Sequence, residues 1–218
     1  MDRISHGGNT APGSLTGPSP QTESIKIGYR CLKNIFDRAA FPPPPKDPRY
    51  QPTSVFLLLY NPNEPHILAI QKSDTDGYPW RNQVALPGGH VDQEDAGPLD
   101  TAFRELHEEV GIPNDQVRLI GSMGHFQTIR CKDIEVFVGM WNGQGPVRYD
   151  TNEISRVLEI PLRDLVQTHN ELNGFGSLTP SADITYPFQD VVIWGVTAKI
   201  LNFFISLIHP GLSTGNRF

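Results

Sequence analysis

Basic clusters, cysteines and long apolar runs are what this sequence has least of. No block of Lys or Arg occurs among its 218 residues, and the net charge is −6. Bulk nucleic-acid binding needs a cationic footprint, which argues against that class. An acidic chain can still hold an anionic phosphate compound if a metal ion supplies the positive charge. The two cysteines, Cys31 and Cys131, stand at no metal-ligand spacing and read as free thiols of a reducing cytoplasm. Residues 1–23 contain no apolar core of signal-peptide length. Residues 191–208 come nearest to a membrane span, but they are short for one and contain Lys199 and Asn202. Apolar content is 38%, lowered by 20 Gly and 20 Pro, yet the length suffices for one well-cored domain.

What is present is concentrated between positions 83 and 113. Gln83-Val84-Ala85-Leu86-Pro87 leads into Gly88-Gly89, and an acidic loop follows. Gly97-Pro98 then sets a helix start, because proline suits the first helical position. Asp100 falls in the first turn, where negative charge is favoured. Gly111 is placed to end the helix as a left-handed cap, with Pro113 blocking continuation. Within this helix Glu105, Glu108 and Glu109 are spaced i, i+3, i+4 and share a sector of roughly 100°. Leu99, Ala102, Phe103, Leu106 and Val110 occupy the adjacent, core-facing side. Three carboxylates on one face repel one another unless a cation sits between them, and hard divalent ions with oxygen ligands, Mg²⁺ or Mn²⁺, meet that need. A solvated charged face is the ordinary alternative for Glu108-Glu109 alone; Arg104 and the glycines on either side count against it.

These residues resemble the Nudix box, G-x5-E-x7-R-E-U-x-E-E-x-G-U, where U is apolar. Arg104-Glu105-Leu106-His107-Glu108-Glu109-Val110-Gly111-Ile112 matches every specified position of its second half. The first half departs, with Asp95 as the acidic residue and eight residues rather than seven before Arg104. That variant, the lead-in from Gln83, the pattern from Gly88 to Asp95, and Ile193-Trp194-Gly195-Val196-Thr197-Ala198 together resemble the coenzyme A diphosphatase branch. Ile70-Gln71-Lys72-Ser73 stands where that branch often has T-x-R-S, and residues 78–82 lack its usual histidine.

The resemblance implies a Nudix-like α/β/α sandwich with a mixed β-sheet between helices. It implies metal ligation by Glu105, Glu108, Glu109 and the backbone carbonyl of Gly88. Arg104 would orient a glutamate through a bidentate ion pair. Asp95 would brace the loop or contact metal through water. For the general base two candidates stay open, Glu153 on a later loop and Glu109 itself. Lys72, Arg81 and Gln83 are the candidate substrate-binding residues, each an ordinary surface residue by default. His90 and His125 are read as structural or exposed, and Tyr78, Trp80 and Phe126 are candidates for stacking or for the core.

Along the chain, residues 1–23 are expected to be a disordered tail, rich in Gly, Ser, Thr and Pro. Residues 24–48 read as an amphipathic helix to residue 40, packed on the domain or a second subunit, and a proline-rich spacer. The Nudix domain is expected over 49–210, with a C-terminal tail at 211–218. Strands are expected at 55–60, 66–71, 117–120 and 134–140, with 125–128 as an extension of the third. A further strand over 152–160 ends in Pro161-Leu162 before a short helix at 163–168. Residues 174–187 read as a polar loop at the substrate mouth, and 191–208 as a helix. In that helix Trp194, Ala198, Leu201, Ile205 and Ile208 form the apolar stripe, and Ile200, Phe203, Phe204 and Leu207 widen it into a candidate homodimer contact.

The expected activity is metal-dependent hydrolysis of a diphosphate in a nucleoside diphosphate linked to another moiety. Coenzyme A or acyl-CoA leads, giving 3′,5′-ADP and 4′-phosphopantetheine. NDP-sugars, dinucleotides and (d)NTPs are the alternative substrates, and a non-catalytic nucleotide-binding sensor is the alternative of another class. The expected partner is that small molecule, with no nucleic acid and no membrane; the expected location is the cytoplasm.

Overall fold

The computed structural model describes residues 25–75, 81–173 and 184–213. Its centre is β1 (Gln51–Tyr60), whose residues 54–59 are all buried. Burial on both faces explains the unbroken apolar run: Val55, Leu57 and Leu59 enter one core, while Phe56 and Leu58 enter the other. β1 runs parallel to β6 (Lys132–Trp141) and antiparallel to β2 (His66–Lys72) and β4 (Gly88–His90). β2 and β4 share one edge of β1. Leu58–Tyr60 pair with β2, Thr53–Val55 pair with β4, and between them the Phe56 N–H donates to Pro87 O at 2.9 Å. β5 (Val117–Gln127) flanks β6, while β2 also carries β3 (Val84–Ala85) and β7 (Ile154–Pro161).

The sheet is covered on both faces. Helix α2 (Pro98–Val110) lays Ala102, Leu106 and Val110 against Phe56, Leu58, Leu68 and Ile70. The opposite face meets α1 (Tyr29–Phe36), α3 (Leu162–Asn173) and α4 (Gly195–Ser213), through Leu32, Leu165, Leu201 and Phe204 among others. This is the expected α/β/α sandwich with a mixed sheet.

Several boundaries differ. The helix expected over 24–40 is confined to α1: Ile27 is buried, and its N–H donates to Pro62 O at 3.2 Å, which holds the chain before it extended. Of the two packing alternatives the segment takes the domain, and Arg118 lies 3.4 Å over the Tyr29 ring. The proline-rich stretch after it crosses β5, where the His125 N–H donates to Pro42 O at 3.0 Å. A side chain at Gly124 would come within 2.5 Å of that carbonyl. The third expected strand and its extension form one 11-residue strand, bent by register shifts at 119–121 and 122–125. α3 extends well past residue 168 because His169 is buried against Tyr186. Of the expected 174–187 loop, 174–183 lie outside the described residues, and β8 (Tyr186–Phe188) pairs with β9 (Val191–Ile193). The helix expected from 191 therefore begins at Gly195 and runs to Ser213, past the expected domain end. Trp194 precedes it and is 54% exposed instead of joining the apolar stripe. Ile200 and Phe204 are buried, and Phe203 packs edge-on against Phe126 at 5.6 Å, so the wide apolar face is used within the chain. Among the described residues no helix is long and apolar enough to cross a membrane.

Candidate active site

The site forms where the β1 edge passes from β2 to β4. Pro98 opens α2, and the Ser54 hydroxyl donates to its carbonyl at 2.6 Å, fixing the helix start over β1. Gly111 closes the helix at φ 72°. The helix thus places its glutamate face beside Gly88-Gly89. Backbone blocks any side chain at Gly88, while at Gly89 the obstacle is the carboxylate tip of Glu105. A Cβ on Gly88 would lie 2.2 Å from Ser54 O, and one on Gly89 would lie 2.2 Å from Glu105 Oε1.

Glu109 is the most enclosed of the three, its side chain 8% exposed. Its Oε1 pairs with Lys72 Nζ at 2.5 Å, and its Oε2 accepts the Gly88 N–H at 2.9 Å. Glu105 takes a bond from Arg104 Nη1 at 2.9 Å. Burial pushes its carboxyl above the ordinary value; Arg104 opposes that, and the Glu109 and Glu108 charges add to it. Glu108 faces solvent and also bonds Arg104 Nη1, at 3.0 Å.

The bidentate partner of Arg104 is Asp95, not a glutamate as expected. Nε and Nη2 reach its two oxygens at 3.0 Å each. The reason is local: Thr101 Oγ1 and the Asp92 N–H also bond Asp95, which holds its carboxylate square to the guanidinium fork. The same contacts, Arg104 first, hold the Asp95 carboxyl well below the usual carboxylate range. Only Nη1 is left to span Glu105 and Glu108.

The other expected residues divide. Lys72 lies at the end of β2, where its N–H donates to Gln83 O and the next N–H, of Ser73, donates to Glu153 O, both at 2.9 Å. Glu153 is exposed in the turn before β7, one residue from Ile154, the register partner of Lys72. Lys72, Gln83, Gly88, Glu109 and the Glu153 backbone therefore meet at one end of the sheet. Arg81 pairs loosely with Asp74 at 3.7 Å and is more than half exposed. His90 bonds Lys132 at 2.7 Å, and His125 bonds Asp133 at 2.8 Å. Tyr78 and Trp80 lie outside the described residues.

One feature was not visible in the sequence. An open groove of about 580 Å³ is lined by Gln71, Asn82, Ser155, Arg156, Asp190 and the Val191-Val192 pair. Arg156 donates to Gln71 Oε1 and to Asp190 Oδ1, both at 2.7 Å. Gln71 precedes Lys72, so the groove and the glutamates lie on opposite faces of the same strand end. The only sequence signal was a glutamine breaking the apolar run of β2; Arg156 lies 85 positions away.

The oxygen donors suit a hard divalent cation by type, and Gly88-Gly89 leave the backbone bare beside them. As they stand, the carboxylates are held by Arg104 and Lys72, and among the described residues no three His, Cys, Asp or Glu side chains converge as a metal cage.

Comparison with known proteins gives the family. Residues 50–178 match the NUDIX domain. An uncharacterized Nudix hydrolase NudL of Photorhabdus laumondii is 27% identical over 165 residues, 74% of this chain and 88% of that protein. A NudL of Salmonella paratyphi B is 32% identical over 121 residues, 55% of this chain and 63% of that protein. Among solved structures, the MutT protein of Methanosarcina mazei Go1 aligns with a TM-score of 0.49 and 16% identity, covering 74% of this chain and 95% of that one. The chain belongs to the NUDIX family of hydrolases.

Proposed function

We propose that this enzyme cleaves a diphosphate linkage in a nucleoside diphosphate joined to a second moiety, with coenzyme A or an acyl-CoA as preferred substrate. The observation that carries the reading is the placement of Glu105 and Glu109 against Gly88-Gly89, with the Lys72 ammonium beside them. Glu105, Glu108, Glu109 and the Gly88 carbonyl would hold Mg²⁺ or Mn²⁺, which when bound neutralises diphosphate oxygens and activates water. Arg104 keeps Glu105 and Glu108 together while Asp95 anchors its other edge. Lys72 and Gln83 stand at the strand end where phosphate oxygens would enter, with Arg81 further out. Glu153 is the better base candidate of the two, because both Glu109 oxygens are already engaged.

The groove beside Gln71 suits the uncharged part of the substrate. Asp190 offsets the Arg156 charge, and the Gln71 amide and Ser155 hydroxyl are bonded within the wall, so the lining is close to neutral, with Asn82 and the two valines beside them. A chain bearing amide groups, as in pantetheine, matches that lining better than a phosphate does. The likeness to the coenzyme A diphosphatase branch at 83–95 and 193–198 supports the same substrate. The test is incubation with coenzyme A, an NDP-sugar, a dinucleotide and a dNTP, each with Mg²⁺ or Mn²⁺, with products separated by chromatography. The expected products are 3′,5′-ADP and 4′-phosphopantetheine. Intact coenzyme A alongside another consumed diphosphate overturns the substrate; no hydrolysis of any of them overturns the activity.

A further inference from the structure

Lys72 is an enclosed cation. Its side chain is 15% exposed and its ammonium lies 2.5 Å from Glu109 Oε1. The Glu109 side chain is only 8% exposed, and an enclosed carboxylate is held best beside a positive partner. Arg104 is committed to Asp95, Glu105 and Glu108. A divalent ion drawn to the Glu109 carboxylate therefore meets an ammonium already there, and two cations at one carboxylate repel each other.

We propose that Lys72 is an exchangeable counter-ion: it neutralises Glu109 until the metal arrives, yields that oxygen to the metal, and swings its ammonium onto a phosphate oxygen of the substrate. This rests on the metal-dependent reading above and adds to it an order of events. Three features favour the exchange. The lysine is the last residue of β2, so its flexible four-carbon stem starts from a fixed point at the rim of the site. The Gly88 N–H holds the second Glu109 oxygen, so the carboxylate stays in place when its partner changes. The released charge is near the incoming anion, so no buried cation is stranded.

The test uses the full chain without substrate. Mn²⁺ binding is measured by calorimetry, and melting temperature is read with and without saturating Mn²⁺, for wild type, Lys72→Met and Lys72→Arg. Removing an internal competitor removes the affinity it withholds. Lys72→Met is expected to bind Mn²⁺ tighter by about threefold or more, to melt lower without metal, and to gain more from metal than wild type does. Lys72→Arg, which can clamp the carboxylate through two N–H groups, is expected to bind Mn²⁺ more weakly. With Mn²⁺ saturating, the KM of Lys72→Met for the substrate should rise about tenfold, the size expected for one lost charge-assisted contact. Mn²⁺ affinity unchanged in both variants, or weaker in Lys72→Met, overturns the exchange and leaves Lys72 as a fixed brace. If Lys72→Met does not fold without metal, the Lys72→Arg affinity alone decides. Loss of the underlying reading is distinguishable, because wild type would then neither take up Mn²⁺ nor hydrolyse a diphosphate.

Discussion

Glu108 and Glu109 are neighbours in the chain but experience different surroundings. Glu109→Gln leaves the enclosed Lys72 ammonium without its carboxylate, a change expected to cost about 3 kcal/mol. Glu108 is 57% exposed, and Glu108→Gln should lie within about 0.5 kcal/mol of wild type. Urea unfolding of both variants checks the contrast, while turnover should fall sharply in each. Arg104→Lys retains the charge but cannot grip Asp95 with two N–H groups while reaching both glutamates. Activity is expected to drop about 10- to 100-fold with the melting curve little changed, as for other groups that orient a metal site. That Arg104 is central was legible from its place before Glu105. Its pairing with Asp95 was not, because the choice among neighbouring acids depends on the loop that Thr101 and the Asp92 N–H hold in position.

At the level of elements, α2 was readable in full because its start, stop and apolar face all carry local signals: Gly97-Pro98, Gly111 and the Leu106–Val110 side. Gly111→Ala forces a side chain into the left-handed region, with Arg148 Cβ only 3.3 Å away, and should cost about 1–2 kcal/mol by denaturant titration. Gly89→Ala is a sharper intervention. The added carbon would overlap the Glu105 carboxylate, and a misplacement of that order is expected to lower turnover about 100-fold while circular dichroism stays native. The elements misread in the sequence were those whose limits are set by distant chain. α1 is shortened by the Ile27 bond to Pro62, and the helix expected at 191 is displaced by the pairing of β9 with β8. The Gln71–Arg156–Asp190 groove was hidden for the same reason, since β2, β7 and the turn before β9 supply one residue each.

Across the whole molecule, the Asp95–Arg104 pair ties the acidic loop to α2, and acid should loosen that tie. The folded-state pKa of Asp95 is depressed, so its contribution to stability is present above the unfolded value near 4 and is lost as pH falls from there towards the folded value. The gap in melting temperature between wild type and Asp95→Asn should therefore be widest near neutrality and shrink below about pH 4. A gap that stays constant down to pH 2 would show that the charge of Asp95 contributes nothing to stability. The mixed sheet with two covered faces came with the resemblance to the Nudix box, and the unbroken apolar run of β1 agrees with it, because a strand buried on both faces loses the alternation of a half-buried one.

The loop carrying Gly88-Gly89 is stitched into the central strand, residue by residue, on the edge that β2 vacates. Such a floor cannot hinge away as a lid does without unzipping backbone bonds at the heart of the protein. Entry and exit of reactants must then be governed by the rim, by long side chains swivelling over a rigid base, and new specificities can arise there without disturbing the floor.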